Sequence, residues 1–150
     1  PKPQNPSFYF LKFLWKYNLS RQNMQSTISY TPDQVTELLN ALRCPDTEKI
    51  KQATAMLKTY FKQVEALSNL LFLMQNSPAP EIRQMSCVYL RKVITSLWVH
   101  LSPDDQNKAK FLLLDQYIKE PVTIVKRSIA DVIGSLSKLL IPNKEWNELF

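Results

Sequence analysis

From Thr31 onward, short proline-containing polar breaks separate segments whose apolar residues recur every three or four positions, the spacing of one helix face. Thr31-Pro32-Asp33-Gln34 has the form of an N-cap, a proline at the first helical position and a capping-box glutamine. Val35, Leu38, Leu39 and Leu42 then share a face, and Cys44-Pro45 stops the helix. Asp46 is placed to cap a second helix, with Glu48 in the first turn, where the helix dipole favours an acid. Its expected buried stripe is Ile50, Ala53, Leu57, Tyr60 and Phe61. A third helix is expected over roughly 64–75, with Leu67, Leu70, Leu71 and Met74 inward, although no Pro or Gly separates it from the second. Asn76-Ser77-Pro78-Ala79-Pro80 is a loop. A fourth helix turns Ile82, Met85, Tyr89, Val93 and Leu97 inward. Ser102-Pro103-Asp104-Asp105 repeats the cap pattern and opens a fifth helix, which Glu120-Pro121 breaks. The sixth carries Val122, Val125, Ile129, Val132, Leu136 and Leu139; Pro142 ends it, and Lys144–Phe150 is expected to begin a seventh.

The pattern organises the chain as three antiparallel helix pairs with short links. The second, fourth and sixth helices, the B helices of the pairs, echo one another. Ile82-Arg83-Gln84-Met85-Ser86-Cys87 aligns with Val125-Lys126-Arg127-Ser128-Ile129-Ala130 at an offset of 43, and Ile50-Lys51-Gln52-Ala53-Thr54-Ala55 aligns with the first at an offset of 32. Each copy is aliphatic, then basic, then polar or basic, then small. Helix pairs repeating near 40 residues predict an all-α fold, an α-α superhelix or solenoid of the HEAT or armadillo kind. About three pairs are present, with the start of a fourth. A four-helix bundle would show no such echo. One pair cannot bury its own apolar face, so an incomplete fourth pair is expected to leave apolar surface open.

Composition excludes several function classes. A single glycine, Gly134, cannot write a glycine-rich phosphate loop and leaves few tight hairpins. A single histidine, His100, leaves little room for a histidine-based metal site or triad. Cys44 and Cys87 match no zinc or redox spacing and are expected to be free thiols. No apolar run approaches the ~20 residues that span a bilayer. No nucleophile, base and orienting group fall together, so no enzyme, cofactor or metal is expected. The composition points to a binding protein.

Charge first suggests nucleic acid or an anionic membrane, with 19 basic and 13 acidic residues and a net charge of +6. Its distribution removes that suggestion. Residues 1–32 hold Lys2, Lys12, Lys16 and Arg21 and no acid, which leaves 15 basic against 13 acidic residues beyond them. Residues 1–30 form a basic tail in which Phe8, Tyr9, Phe10, Phe13, Trp15 and Tyr17 crowd together. A membrane-surface helix or presequence is the sharper expectation for it. The plainer one is that residues 1–23 are non-native upstream sequence, with Met24 as initiator, or that the tail is disordered. The chain begins at Pro1 and stops inside a helical pattern, and is expected to be a fragment at both ends.

With the repeats in place, residues 32–150 resemble the N-terminal domain of the importin-β (karyopherin-β) superfamily. The resemblance rests on features in order: Asp46-Thr47-Glu48 and Ala53, Ile82-Arg83-Gln84, Leu90-Arg91-Lys92, Trp98, Leu101 and Pro103, Leu112-Leu113, Val125 and Ser128, then Trp146 and Leu149. The stretch Ile82–Trp98 is its most specific part. It implies a domain over residues 31–150 and a nuclear transport receptor shuttling between cytoplasm and nucleus. Such receptors bind the small GTPase Ran in its GTP state through N-terminal B helices. They bind cargo and pore proteins rich in Phe-Gly repeats (nucleoporins), here through repeats beyond this chain. No direct contact with nucleic acid or membrane is implied. Cargo-binding regions in the family are often acidic, whereas this body is slightly basic. A HEAT scaffold unrelated to transport is the alternative.

On that resemblance, Lys51, Lys58, Arg91, Lys92, Lys126 and Arg127, polar positions off the B-helix stripes, are the candidate GTPase contacts. The plain alternative is an ordinary solvated helix face. Arg83 sits where HEAT helices often hold an inter-repeat structural base, and Trp98 and Trp146 are expected packing anchors. Asp104 and Asp105 follow a Ser-Pro cap and are assigned to the helix dipole rather than acid–base chemistry. His100 is assigned to a helix end, and Cys87 to a small packing position shared with Ala55 and Ala130.

Overall fold

The computed structural model describes residues 28–146. The expectations for residues 1–27, Met24 included, and for Leu149 lie outside the described residues. Six helices follow one another: α1 (Pro32–Leu42), α2 (Thr47–Tyr60), α3 (Val64–Asn76), α4 (Pro80–Leu97), α5 (Pro103–Lys119) and α6 (Thr123–Leu140), with one 3-10 turn at Trp98–His100. No strand occurs among the described residues. The fold is an α-α superhelix built from the pairs α1–α2, α3–α4 and α5–α6.

The cap residues act as their chemistry requires. The Thr31 hydroxyl accepts from the Gln34 N–H (3.2 Å) while the Gln34 side chain accepts from the Thr31 N–H (2.9 Å), closing the capping box. Asp46 accepts from the N–H groups of Glu48 and Lys49, and the Ser102 hydroxyl from that of Asp105. Between α2 and α3, where no Pro or Gly stands, the chain turns at Phe61–Gln63. The N–H groups of Phe61 and Gln63 bond back to Leu57 and Tyr60 before Gln63 becomes extended. Gly134 lies mid-helix in α6 with open space where a Cβ would stand, so no turn depends on it.

Two apolar clusters hold the pairs together. Val35, Leu39, Leu57, Tyr60, Ala66, Leu73 and Ile82 join α1 and α2 to the second pair. A larger cluster runs from α3 to α6 and includes Leu70, Leu90, Ile94, Leu113, Ile129 and Leu136. Each such aliphatic side chain contributes about 1.5–3 kcal/mol by leaving water.

Several expectations need correction. In α2 only Ala53, Leu57 and Tyr60 are buried, while Ile50 and Phe61 are half-buried and Ala55 is exposed. Those three therefore take the places of Ser86, Leu90 and Val93, one residue out of the expected register. Cys87 is buried but its counterpart Ala130 is exposed. The reason is that α4 lies against α6, whereas no described helix covers the matching side of α6. Lys144 and Glu145 begin no helix: Lys144 has a φ of 58°, in the left-handed region, and the chain turns there to bring Trp146 into the core. Tail residues Ser29 and Tyr30 are fastened to the body, through Ser29 Oγ to Glu65 (2.9 Å), Asn69 Nδ2 to the Tyr30 carbonyl (2.8 Å) and the Tyr30 ring edge-on to Tyr60.

These contacts explain why α3 buries the polar residues Glu65, Ser68 and Asn69 as well as its leucines. Burial raises the Glu65 carboxyl pKa, against opposing hydrogen bonds from Ser29 and the Tyr30 N–H. A carboxyl whose folded pKa exceeds its unfolded value of 4.5 favours the fold below that pH and loses the contribution as pH rises through the folded value. Glu65→Gln removes the buried charge and keeps an acceptor for Ser29. Thermal melts at about pH 7 are expected to show a higher Tm for the variant, with the gap closing toward about pH 4. A lower Tm at neutral pH would show that the ionised carboxylate is the stabilising form.

Candidate partner-binding surface

Helix α4 packs most closely on α6 and α3, and α2 packs chiefly on α1. The B helices α4 and α6 therefore share a seam that α2 does not extend. Along that seam runs a groove of about 500 Å³. Arg91, Lys92 and Thr95 line it from α4, and Asp131, Ser135 and Lys138 from α6. Cys87 also lines it, and burial pushes its thiol up to about 12, so it is a packing group rather than a reactive one.

The structure brings Arg91 and Lys92 together in this groove and adds Lys138, which the sequence reading did not select. All three have exposed side chains. Lys92 stands over its neighbour Tyr89, 5.1 Å from the ring centre. Among the described residues no ion pair joins Arg91, Lys92 or Lys138 to Asp131 or to any other acid. The remaining candidates lie elsewhere. Arg127 is exposed on α6 outside the groove. Lys51 and Lys58 are exposed on α2, and Lys51 pairs weakly with Glu48 at 3.7 Å. Lys126 is half-buried and rests over the Tyr117 ring of α5 at 5.0 Å. It occupies the place in its repeat that Arg83 holds in the one before, which sets it apart from the outward-facing candidates.

Arg83 is the centre of the most connected polar site. Its Nε donates to Glu120 Oε2 (3.1 Å) and its Nη2 to Glu120 Oε1 (2.9 Å), a bidentate pair across two repeats. Nη1 donates to the Ser77 carbonyl (2.9 Å). Ser77-Pro78 and Glu120-Pro121 are the same turn in successive repeats, so one guanidinium fastens two equivalent corners. Glu120 also accepts from Gln116 Nε2 (3.2 Å) and the Val122 N–H (3.1 Å). Burial alone would raise its carboxyl, but the bonds from Arg83, Val122 and Gln116 outweigh it and hold the pKa below the ordinary range. The sequence reading took Glu120 only as a helix breaker. The available signal was an acid at a helix C-terminus, where the dipole disfavours one unless a cation waits beside it.

Trp98 and Trp146 are each 2% exposed and belong to the larger cluster. Asp104 is exposed in the first turn of α5, whereas Asp105 is buried beneath it. His100 ends the 3-10 turn and is exposed. The described residues contain no group of three or more His, Cys, Asp or Glu that could hold a metal ion.

Comparison with known proteins places this arrangement. The Importin-beta N-terminal domain family matches residues 53–119, from within α2 to the end of α5. A probable importin subunit beta-4 of Schizosaccharomyces pombe is 37% identical over 117 residues, covering 77% of this chain and 11% of that protein. Importin-4 of Mus musculus is 31% identical over 105 residues, 70% of this chain and 10% of that one. Importin-4 of Homo sapiens is 30% identical over 100 residues, 67% and 9% respectively. The chain thus spans about a tenth of the length of these curated relatives. No solved structure matches it. With the family's domain lying across its central helices and relatives of that family aligned over most of its length, the chain belongs to the importin-β superfamily, whose N-terminal domain it carries.

Proposed function

We propose that this chain supplies N-terminal repeats of a nuclear transport receptor and binds a Ran-type small GTPase in its GTP state through the exposed faces of its B helices. Family membership supports the transport role. The observation that carries the GTPase contact is the set of exposed, unpaired cations on α4 and α6: Arg91, Lys92, Arg127 and Lys138. A protein partner can meet these groups without breaking an internal ion pair, and their charge steers its approach. Lys51 and Lys58, exposed on α2 away from the α4–α6 seam, are further candidate contacts. Cargo and Phe-Gly nucleoporins belong to repeats downstream of these, and the receptor shuttles between cytoplasm and nucleus. By linkage, GTPase binding at this end and cargo binding elsewhere change one another's affinity by the same factor.

The test is binding of the full-length protein to the GTPase loaded with a non-hydrolysable GTP analogue or with GDP. The GTP form is expected to bind at least about tenfold more tightly, which is about 1.4 kcal/mol. Equal affinity for the two forms would remove the reading and leave a helical-repeat scaffold without a nucleotide-dependent partner.

A further inference from the structure

We infer that the groove between α4 and α6 seats a short acidic segment of the protein partner, with Arg91 and Lys138 taking its carboxylates and Asp131 taking a donor. The inference rests on the reading of the B-helix faces as the GTPase-binding surface. It assigns that surface a register.

Size limits the occupant first. Along α4 the groove reaches from Cys87 to Thr95, just over two helical turns or about 12 Å at 1.5 Å per residue. An extended strand covers that span in three or four residues. A volume of about 500 Å³ suits a discrete segment rather than a flat interface.

Charge selects the chemistry. Arg91, Lys92 and Lys138 stand against the single acid Asp131, and no ion pair within the described residues neutralises them. Anionic side chains therefore complement the groove. The Arg91 guanidinium can hold a carboxylate in a bidentate pair, while the lysines act as point charges. Asp131 argues against a continuous polyanion such as nucleic acid or a lipid surface, because it would face an unbroken row of like charges. Beyond residue 32 the chain has only two more basic than acidic residues, too weak a field to attract such a surface. A peptide that carries a lysine among its acids meets every charge in the groove with its opposite. Thr95 and Ser135 add hydroxyls that bond to either the peptide backbone or its side chains.

Fluorescence anisotropy of a labelled Glu-Glu-Lys-Glu-Glu peptide against the full-length protein at low salt tests this. Lys138→Glu is expected to weaken binding at least about tenfold, and Lys62→Glu, the same charge change at an exposed lysine outside the groove, less than about twofold. Asp131→Asn is expected to tighten an all-glutamate peptide and abolish the advantage of the central lysine. Equal losses in the two charge reversals, or no peptide binding by the unaltered protein, overturn the inference. If Lys138→Glu leaves GTPase affinity and its nucleotide preference unchanged, the groove assignment fails and the GTPase reading stands. If the unaltered protein shows no nucleotide preference, the GTPase reading fails and the peptide result alone decides the groove.

Discussion

Glu120→Ala is expected to cost the fold about 3–5 kcal/mol, the range for removing one member of a buried, hydrogen-bonded ion pair. The Glu120 side chain is fully buried and that of Arg83 is 12% exposed, so a guanidinium left alone there has little access to water. Truncation also strips an acceptor from Gln116 and from the Val122 N–H at the start of α6. Arg83→Ala should cost a similar amount by leaving the carboxylate behind. Replacing both by apolar residues of similar volume should cost less than either single change, because the price of a lone buried charge is then absent. Acid should act in the same direction as the truncation. A carboxyl held below its unfolded value of 4.5 stabilises the fold above that pH and loses the contribution as pH falls through the folded value. Chemical denaturation of Glu120→Ala from neutral pH to about pH 3 should therefore show a flatter decline than the unaltered protein. A loss under about 1 kcal/mol at neutral pH would mean the pair is no better than a surface bridge.

That site also shows where sequence reading stopped. The helices were legible because their caps are local: Thr31 with Gln34, Asp46 with Glu48 and Ser102 with Asp105 are contacts of neighbours in sequence. The inward stripe of α6 was legible because Val125, Ile129, Val132 and Leu136 obey a 3.6-residue period with no polar interruption. Helix α3 broke that rule. It is enclosed by α1, α4 and the segment before α1, so Glu65 and Asn69 point inward, to Ser29 and Tyr30 far off in sequence and to Tyr60 on the helix before. The Arg83–Glu120 pair is non-local in the same way, and a pattern of hydrophobic positions carries no information about which acid meets which base. The groove followed the same division. Arg91 and Lys92 were visible as basic positions off the apolar stripe, but Asp131 and Lys138 join them only because α4 and α6 lie side by side in one register. The one-residue error in matching α2 to α4 has a related cause: two helical faces a residue apart are both apolar in sequence, and only the neighbour chooses between them.

Trp98→Ala is the second large effect, with an expected loss of about 3–5 kcal/mol for truncating a fully enclosed aromatic side chain. The residue follows α4 directly and lies in the cluster shared by α3 to α6. Its carbonyl accepts from the Leu101 N–H (3.1 Å) and from Gln106 Nε2 (3.0 Å), so the corner between the second and third pairs is built on its backbone while its ring fills the space beneath. The indole Nε1 is buried with no hydrogen-bond partner. An unsatisfied buried donor costs about 1–3 kcal/mol, which an all-carbon ring does not incur. Trp98→Phe should therefore lose much less than the volume change alone suggests, about 1 kcal/mol or under, and in denaturant titrations the two variants should differ by at least about 2 kcal/mol. The same pair separates packing from recognition. A ring that only seats the C-terminal end of α4 leaves GTPase and peptide affinity unchanged in Trp98→Phe, because Arg91 and Lys92 stay in place about two turns upstream. Loss of affinity in a folded Trp98→Phe protein would instead require the indole itself to take part in holding the partner.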